Sequence, residues 1–570
     1  MFHRLWRQNQ LDEKECQLLL ISDFNTNNLA GYARNDNEDP IVDAIIAPFG
    51  QVVPVLMQED LECWQSNPDV AVVWTQPENV SESFNHVVNF KHEPIEKILA
   101  EVDEYCSLLL NIRDRARTIF VPTWVFPSYH RGLGMLDMRI DIGISNTLMR
   151  MNLRLSEKLS KASNFYLLDA QRWISIAGRK AFDPRLWYLG KIPFGNDVFI
   201  EAVKDIKSAL RGVAGNSKKI VILDLDDTLW GGVVGEVGWE NVRLGGHDHI
   251  GEAFVDFQSA LKFLRNKGVL LGIVSKNEEA IALEAINKHP EMLLRLEDFA
   301  AWKINWQDKA KNIVELVLEL NIGLQSVVFI DNSPVERERV REALPEVFVP
   351  DWPEDIMFYR STLVNLNCFD TPSISKEDFE RTEIYISERQ RKKLKESVGS
   401  LDEWLKSLKM TIKVEQLSES NLQRVTQLLN KTNQMNLSTR RMTETELVNW
   451  VKQENHLFWI FRVMDKFGDS GITGLVSLEV ESKIGKIVDF VLSCRVMGRK
   501  VEETMLYKIV QYAQERHLDE VWAIYKPTPK NKPCLELLKS SGFKNHLKNN
   551  RFVCDVTQDY PLFKYIKLME

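Results

Sequence analysis

The sequence predicts an α/β protein of three domains, with a doubly wound parallel sheet in the central one. Short apolar runs alternate with amphipathic stretches along the whole chain, which is the pattern of α/β domains. The length of 570 residues suits about three to four domains of roughly 150 residues each. We place the domains at residues 1–215, 216–395 and 396–570. The polar stretch AGNSKK (214–219) lies at the first boundary.

Composition and charge exclude several classes of protein. The formal net charge of −9 argues against a general nucleic-acid binder. Basic residues are dispersed except in the run RQRKKLK (389–395), which is typical of a solvated helix face. No apolar stretch approaches ~20 residues and the first residues do not resemble a signal peptide, so we expect no membrane association. Seven cysteines without a CxxC pair favour reduced thiols in the cytoplasm.

The strands justify the fold class region by region. The first region has four strand candidates, at 17–21, 70–74, 118–121 and 165–168. The second has three, at 220–223, 269–274 and 326–330, with a helix at 252–267. The third has strand candidates at 410–414, 458–463, 471–480 and 484–492, followed by a helix at 501–516. Strands followed by a helix indicate a separate mixed α/β domain there.

Three carboxylates crowd the end of one predicted strand. The stretch VILDLDDTLWGG (221–232) is apolar up to Leu223 and then carries Asp224, Asp226 and Asp227. Asp224 is expected at the carboxyl end of a parallel strand, where ligands of open α/β sheets bind. Side chains at i and i+2 of an extended segment point the same way, so Asp224 and Asp226 repel each other unless a cation lies nearby. A hard divalent ion such as Mg²⁺ is therefore expected.

Two further apolar runs end in groups that suit phosphate chemistry. LGIVSKN (271–277) ends a strand at Ser275, whose hydroxyl and neighbouring amides suit phosphate oxygens. Lys309, in NWQDKA, supplies a cation, and VVFIDNSPVE (327–336) ends a strand at Asp331. The order along the chain is therefore Asp, Ser, Lys and Asp, and the two aspartates and the serine each end an apolar strand. This order is typical of a metal-assisted phosphoryl-transfer site.

These motifs resemble the haloacid-dehalogenase-like (HAD) superfamily. The segment DLDDT (224–228) matches its first signature, and Ser275, Lys309 and Asp331 match the following three. The longer stretches LDLDDTLWGGVVGE, NWQDKA and FIDNSPVERERVR are similar to the FkbH-like subfamily, and the similarity extends into both flanking regions.

The resemblance implies a role for each matching residue. Asp224 would be the nucleophile that takes phosphoryl as an aspartyl phosphate. Asp226 would be the general acid for the leaving group and then the base for water. Phosphate would be held by Thr228, Ser275, Lys276, Asn277 and the catalytic Lys309. A Mg²⁺ ion would be held by Asp224, Asp226 (through its carbonyl), Asp331 and Asn332.

The sequence departs from the HAD pattern at two places. Asn332 stands where a second acid often follows Asp331, and Glu336 is a candidate for the distal acidic role. Lys303 lies near Lys309 and is an alternative to it, although we prefer Lys309. No long insertion separates Asp224 from Ser275, so we expect an open site. Such a site suits a substrate carried on a protein, or one covered by another domain.

The third region resembles the GNAT acyltransferases. In DFVLSCRVMGRKVEETML (489–506), Arg495 and Gly498 match the acyl-CoA-binding turn RxxGxG/A, whereas Lys500 stands at the second small position. Cys494 precedes this turn beside Arg495 and helix-terminal amides, which we expect to lower the pKa of its thiol. Cys494 is therefore a candidate carrier of a thioester. The alternative is a small buried cysteine that only packs at the end of a strand.

The first region resembles the SGNH hydrolases without their chemistry. Its first block has the order Ser22-Asp23, the reverse of the usual one. Near its end, Asp183 is followed by Leu186 where the DxxH pattern requires histidine. We predict an SGNH-like domain that docks or supports and is not catalytic.

The FkbH-like resemblance implies a function for the whole chain. It implies that 1,3-bisphosphoglycerate loses its phosphate and that its glyceryl unit passes to the phosphopantetheine thiol of an acyl carrier protein, in polyketide or related natural-product biosynthesis. Three alternatives stay open: a plain Mg²⁺-dependent phosphatase, a non-catalytic scaffold that binds carrier proteins, and a CoA-dependent acyltransferase.

Overall fold

The computed structural model describes residues 16–127, 130–246, 248–374, 379–398, 400–432, 434–528, 531–546, 550–557 and 560–570. The chain divides into two compact units, up to Val213 and from Ala214. Among the described residues, no helix has both the length and the apolar character needed to cross a membrane. All seven cysteines are free thiols.

The first unit is built on a parallel five-stranded sheet. Its order is β2-β1-β3-β4-β5, and every neighbouring pair is parallel. The strands are β1 (Cys16–Ser22), β2 (Val42–Ile46), β3 (Val70–Trp74), β4 (Thr118–Pro122) and β5 (Phe165–Leu168). The helices are α1 (Asn27–Asn35), α2 (Val52–Met57), α3 (Glu62–Gln65), α4 (Pro77–Val80), α5 (Glu82–Val88), α6 (Ile95–Leu110), α7 (Ile144–Leu159), α8 (Ala170–Ala177), α9 (Pro184–Gly190) and α10 (Asn196–Val213).

The two faces of this sheet pack against separate cores. Leu19 and Ile21 of β1 belong to one core, and the alternate residues Leu18 and Leu20 belong to the other. A strand covered on both faces has no polar side to alternate with, which is why β1 is one apolar run in the sequence.

The second unit contains two sheets, and the first is parallel with four strands. Its order is β8-β7-β6-β9. The strands are β6 (Ile220–Leu223), β7 (Leu270–Ser275), β8 (Phe299–Ile304) and β9 (Val327–Ile330). The helices of this part are α11 (Val234–Val237), α12 (His249–Asn266), α13 (Glu279–Lys288), α14 (Lys309–Glu319), α15 (Pro334–Ala343) and α16 (Tyr359–Val364). Both faces are buried, since Val221 and Leu223 join one core and Ile220 and Ile222 join another.

The second sheet of this unit has nine strands and mixed directions. Its main path is β16-β17-β15-β14-β13-β12-β10-β18, and β11 pairs with β14 beside that path. The strands are β10 (Met410–Glu415), β11 (Met435–Asn436), β12 (His456–Asp465), β13 (Gly468–Glu481), β14 (Ile484–Leu492), β15 (Glu520–Ile524), β16 (Lys544–His546), β17 (Arg551–Asp555) and β18 (Ile566–Met569). Its helices are α18 (Leu401–Leu408), α19 (Glu419–Lys431), α20 (Glu444–Val451), α21 (Val501–Glu515) and α22 (Lys532–Ser540).

One helix packs against both sheets of the second unit. This helix, α17 (Arg381–Ser397), carries the basic run that we predicted to be a solvated face. That prediction is wrong for two of its arginines. Arg389 pairs with Glu319 at 2.8 Å and lies 4.1 Å over the ring of Trp302, while the buried Arg391 donates to Asp465 at 2.6 and 2.7 Å. Arg389 thus neutralises an acid on helix α14, and Arg391 neutralises an acid on β12.

The prediction of a mixed α/β fold with parallel sheets is confirmed. The division into three domains stays a prediction, because α17 ties the four-stranded and nine-stranded sheets into one compact unit. Every strand candidate coincides with an observed strand to within a few residues. The strands that the sequence reading did not single out are β2, β8, β11, β15, β16, β17 and β18.

Candidate active site

The four-stranded sheet brings three predicted phosphoryl-transfer residues, Asp224, Ser275 and Asp331, to one edge. All four strands are parallel, so their carboxyl ends meet there. Leu223 of β6 is in register with Ile330 of β9, and each is followed by an aspartate. Asp224 and Asp331 therefore emerge side by side, and Ser275 ends β7 on the other side of β6.

Lys309 lies between the two aspartates. Its amine is 3.0 Å from Asp224 Oδ2 and 2.6 Å from Asp331 Oδ2. Burial acts to lower the pKa of Lys309, but the charges of Asp224 and Asp331 outweigh burial and raise it. Burial and the charge of Asp224 raise the pKa of Asp331. Two buried carboxylates and one cation leave an excess of negative charge at this point.

Asp224 keeps one carboxylate oxygen for another partner. Its Oδ1 is buried and has no hydrogen-bond partner. Among the described residues, no three His, Cys, Asp or Glu side chains converge as a metal site. The donors here are instead the carboxylates of Asp224 and Asp331, a set that fits Mg²⁺ because this ion usually keeps several waters and takes only one or two carboxylates.

The carboxylate of Asp226 is held by three hydrogen-bond donors. Its Oδ1 accepts from Trp230 Nε1 at 2.9 Å and from the Val234 amide at 3.1 Å. Its Oδ2 accepts from Asn277 Nδ2 at 2.8 Å. Burial raises its pKa against these hydrogen bonds. A fixed carboxyl with a raised pKa suits an acid that protonates a leaving group.

Three predicted phosphate or metal contacts have other partners. Thr228 is buried, and its hydroxyl lies 3.3 Å from Asn332 Oδ1 and accepts from the Asn332 amide at 3.1 Å. Asn277 donates to Asp226, as described above. Lys276 pairs with Glu336 at 2.6 Å, so the acid proposed for a distal role is its counter-ion.

The choice between the two candidate lysines is clear from their neighbours. Lys303 lies on β8 and pairs with Glu319 at 3.4 Å and Glu315 at 3.9 Å. Lys309 is the one that reaches Asp224 and Asp331.

Two residues of the site were missed by the sequence reading. Trp230 holds Asp226, and Arg337 donates to the carbonyls of Asp331 and Asn332, both at 2.8 Å. Their positions in WGGVVGE and VERERVR follow the aspartate motifs closely, and this proximity was the available signal.

The thiol of Cys494 has surroundings different from those we expected. Burial raises its pKa, and the opposing charges of Arg495 and Lys219 do not compensate. The expectation of a lowered thiol pKa is therefore wrong, because desolvation of the thiolate outweighs the cations.

The GNAT-like turn is closed by the chain itself. Arg495 Nε donates to Ser493 Oγ at 3.2 Å. Gly498 has a φ of +73°, and its amide donates to Glu502 Oε1 at 2.8 Å. The left-handed conformation explains the glycine.

Three candidate residues of the SGNH-like region have partners within that region. Ser22 Oγ accepts from the Phe24 amide at 3.1 Å, and Asp23 accepts from the Gln76 amide and Asn79 Nδ2. Asp183 caps α9 and pairs with Arg185 at 2.6 Å. The supporting role of this region stays a prediction.

Comparisons with known proteins give one informative similarity. The chain is similar to the N-terminal part of the protein BF1531 from Bacteroides fragilis, described as containing a phosphatase domain complexed with Mg. The identity is 28%, the TM-score is 0.57, and the match covers 65% of this chain and 99% of that one. No protein-family profile matches the chain. No curated protein matches it.

Two more distant similarities concern acetyltransferases. One is the PaiA N-acetyltransferase from Thermoplasma acidophilum in complex with coenzyme A, with 12% identity, a TM-score of 0.20, and coverage of 25% of this chain and 98% of that one. The other is the ribosomal-protein-S18-alanine N-acetyltransferase from Escherichia coli, with 10% identity, a TM-score of 0.20, and coverage of 27% and 99%. Neither similarity is high enough to support a conclusion about this chain.

Proposed function

We propose that this protein is a Mg²⁺-dependent phosphoryl-transfer enzyme of the HAD type, with Asp224 as its nucleophile. The main support for this function is the buried group formed by Asp224, Asp331 and Lys309. Within it, the Asp224 Oδ1 atom is buried and has no hydrogen-bond partner. The similarity to a phosphatase domain complexed with Mg supports the same assignment.

Each residue of the site has a separate role in the proposed reaction. A carboxylate oxygen of Asp224 attacks phosphorus, and the bond to the leaving oxygen breaks as Asp226 gives that oxygen a proton. Water then attacks the aspartyl phosphate, and Asp226 takes the proton of that water. Lys309 neutralises charge on the phosphoryl oxygens, and Ser275 is placed to donate to them. Bound Mg²⁺ supplies further neutralisation of that charge, held by Asp224 and Asp331.

The finer part of the proposal concerns the substrate. The FkbH-like motifs favour 1,3-bisphosphoglycerate, whose acyl phosphate is a mixed anhydride and therefore an activated acyl donor. In the transfer, the thiol of an acyl carrier protein attacks the acyl carbon, a C–S bond forms, and the C–O bond to phosphate breaks. This step gives a 3-phosphoglyceryl thioester. Asp224 then takes the C3 phosphoryl group, Asp226 gives a proton to the C3 oxygen, and water releases inorganic phosphate from Asp224. The product is a glyceryl thioester for polyketide or related biosynthesis.

The surroundings of Cys494 bear on its proposed role. Burial raises the pKa of its thiol, so the thiolate that would accept an acyl group is disfavoured. The phosphopantetheine thiol of a carrier protein can accept the acyl group without an intermediate on Cys494.

A plain Mg²⁺-dependent phosphatase is the second candidate function. It uses the same five residues (Asp224, Asp226, Ser275, Lys309 and Asp331) and needs neither Cys494 nor a carrier protein. The raised pKa of the Cys494 thiol favours it over a relay. A non-catalytic scaffold predicts instead that Asp224→Asn changes no turnover.

Intact-protein mass spectrometry separates these candidates. The mixture contains the enzyme, Mg²⁺, 1,3-bisphosphoglycerate generated in place, and a pantetheinylated carrier protein from the same pathway. We expect a glyceryl adduct on the carrier that Asp224→Asn abolishes. An adduct on the enzyme that Cys494→Ala removes would identify a relay. Phosphate release without any adduct would leave the plain phosphatase.

A further inference from the structure

The nine-stranded sheet contains a gap that the chain itself fills. Strand β14 pairs with β15 only from Ile484 to Ile487. Beyond that point, β11 takes the vacant edge of β14, with Met435 opposite Leu492 and Asn436 opposite Val491. The next residue, Leu437, donates its amide to Phe490 O at 3.1 Å and accepts from the Lys526 amide at 3.3 Å. Residues 435–437 thus bridge β14 and the segment that follows β15.

A buried asparagine fastens this bridge. Asn531 is 0% exposed, and its Nδ2 donates to Asn436 O at 3.0 Å and to Lys526 O at 2.8 Å. Its Oδ1 accepts from Tyr525 Oη at 2.8 Å and from the Thr528 amide at 2.7 Å. The Asn531 side chain therefore uses Nδ2 to hold Asn436 of the bridge and Lys526 after β15, and uses Oδ1 to hold its own position against Tyr525 and Thr528.

Little space is left beside the bridge. Met435, Asn436 and Leu437 are all buried. The cavity next to Leu437 measures about 10 Å³, and its lining residues are Leu437, Ile487, Phe490, Leu506, Cys534, Leu537 and Leu538. Such a volume holds a single water at most.

The turn before α21 is closed in a similar way. The carboxylate of the buried Glu502 accepts from the Gly498 amide at 2.8 Å. Lys500 is paired with Glu503 at 2.6 Å, and the buried Arg499 contacts Glu388 and the Arg495 carbonyl. The Gly498 amide thus already donates to a carboxylate of the protein, Glu502, and is not free to bind a phosphate of a ligand.

An open strand edge and free amides at the start of a helix are the features that coenzyme A would use. Its extended, amide-bearing arm pairs with an open strand edge, and its pyrophosphate binds amides at the start of a helix. We propose that β11 and Glu502 replace both parts of that ligand, so that the C-terminal sheet does not bind coenzyme A. This inference goes beyond the proposed phosphoryl transfer and excludes free CoA thioesters as acyl donors at this sheet.

Calorimetric titration of CoA into the full-length protein tests the proposal. We expect no saturable binding with a Kd below about 1 mM. Saturable binding below that value would overturn the proposal, whatever the protein does with phosphate substrates. Phosphatase activity measured on the same preparation reports separately on the proposed function.

Hydrogen–deuterium exchange tests the bridge itself. The amide of Leu437 should exchange as slowly as those of the β13–β14 pair, with or without CoA. Asn531→Ala should speed this exchange by about tenfold or more, since the bridge loses its fastening. Gln511→Ala removes an exposed amide that bonds Glu515 and should leave the exchange unchanged. Exchange as fast as in exposed loops in the unmodified protein, or no effect of Asn531→Ala, would contradict the proposal.

Discussion

Asp226 is held by an uncharged tryptophan to which the sequence analysis assigned no role. The indole of Trp230 is buried and donates to Asp226 Oδ1 at 2.9 Å. An acid catalyst works only when its proton is aimed at the leaving oxygen, so the orientation of this carboxyl matters to the rate. Trp230 is therefore a positioning residue for the proposed reaction.

Trp230→Phe tests this role, because phenylalanine keeps an aromatic ring in the core and removes the hydrogen bond. We expect kcat for p-nitrophenyl phosphate to fall about fivefold to tenfold. This corresponds to an activation barrier raised by about 1 kcal/mol, the typical contribution of one hydrogen bond. KM should change less than kcat, because Asp226 does not bind the phosphate. A kcat within a factor of two of the unmodified enzyme would count against the role.

Lys309 is the counter-ion of two buried carboxylates. Lys309→Met leaves Asp224 and Asp331 uncompensated, and without metal we expect the free energy of unfolding to fall by about 3–5 kcal/mol. Excess Mg²⁺ should restore part of this loss, since a divalent ion relieves the same repulsion. Urea unfolding with Mg²⁺ and with EDTA measures both quantities.

Lys303→Met is the matched control for Lys309→Met. Lys303 pairs with Glu319 at 3.4 Å outside the site, so its loss should cost little, and Mg²⁺ should not affect that cost. An equal loss in Lys309→Met with Mg²⁺ and with EDTA would show that the carboxylates do not hold the ion.

Single residues show what a sequence can reveal about this site. Asp224, Ser275, Lys309 and Asp331 were all predicted, because each follows or accompanies an apolar strand whose end places it. The raised pKa of Cys494 was not predictable, because it depends on burial by distant parts of the chain. In the sequence, the charged residue beside Cys494 is Arg495, and its charge alone would lower the pKa of the thiol.

At the scale of elements, helix α17 joins the two sheets of the second unit. Arg391 donates two hydrogen bonds to Asp465, and both side chains are buried. A buried ion pair is costly to break because one charge is left without compensation.

We expect Arg391→Met to lower the free energy of unfolding by about 3–5 kcal/mol. Arg360→Met provides the control, because Arg360 and Asp256 form an exposed pair at 2.5 Å whose loss should cost about 1 kcal/mol or less. Denaturant unfolding measures the free energy of unfolding of both variants. Equal losses of unfolding free energy would mean that Arg391 has no special role in joining the sheets.

The end of β1 carries a carboxylate whose titration affects stability. Burial raises the pKa of Asp23 from 3.8 to about 6, and burial also raises that of the nearby Glu78. The folded state therefore binds a proton at Asp23 more tightly than the unfolded state does. The unfolding free energy should fall as the pH rises from about 4 to about 6, by up to about 3 kcal/mol from Asp23.

Asp23→Asn removes this titration and keeps an oxygen that accepts hydrogen bonds. We expect the variant to gain stability over the unmodified protein above pH about 6 and to lose that gain near pH about 4. Thermal melts across this range measure the difference. A difference that stays constant with pH would contradict the assignment.

Several strands that the sequence revealed share one property. Strands such as β6 and β7 are buried on both faces, so they appear as uninterrupted apolar runs. β11 has only two residues and no such run, because its pairing depends on the gap left by β14 and β15. The basic run of α17 was misread for a related reason, since its acidic partners lie on other elements.

At the scale of the whole molecule, the chemistry belongs to one edge of one sheet. The four-stranded sheet carries the carboxylates, while the nine-stranded sheet has filled its own gap and its own turn. The alternative functions therefore differ in whether the nine-stranded sheet takes part in the reaction.

The central claim is that Asp224 transfers phosphoryl groups with Mg²⁺, and phosphate release tests it most directly. Release from p-nitrophenyl phosphate and from acetyl phosphate should require Mg²⁺ and stop with EDTA. Asp224→Asn should lower the rate by about 10³-fold or more while the protein remains folded. A rate that is independent of Mg²⁺ and unchanged in Asp224→Asn would contradict the account.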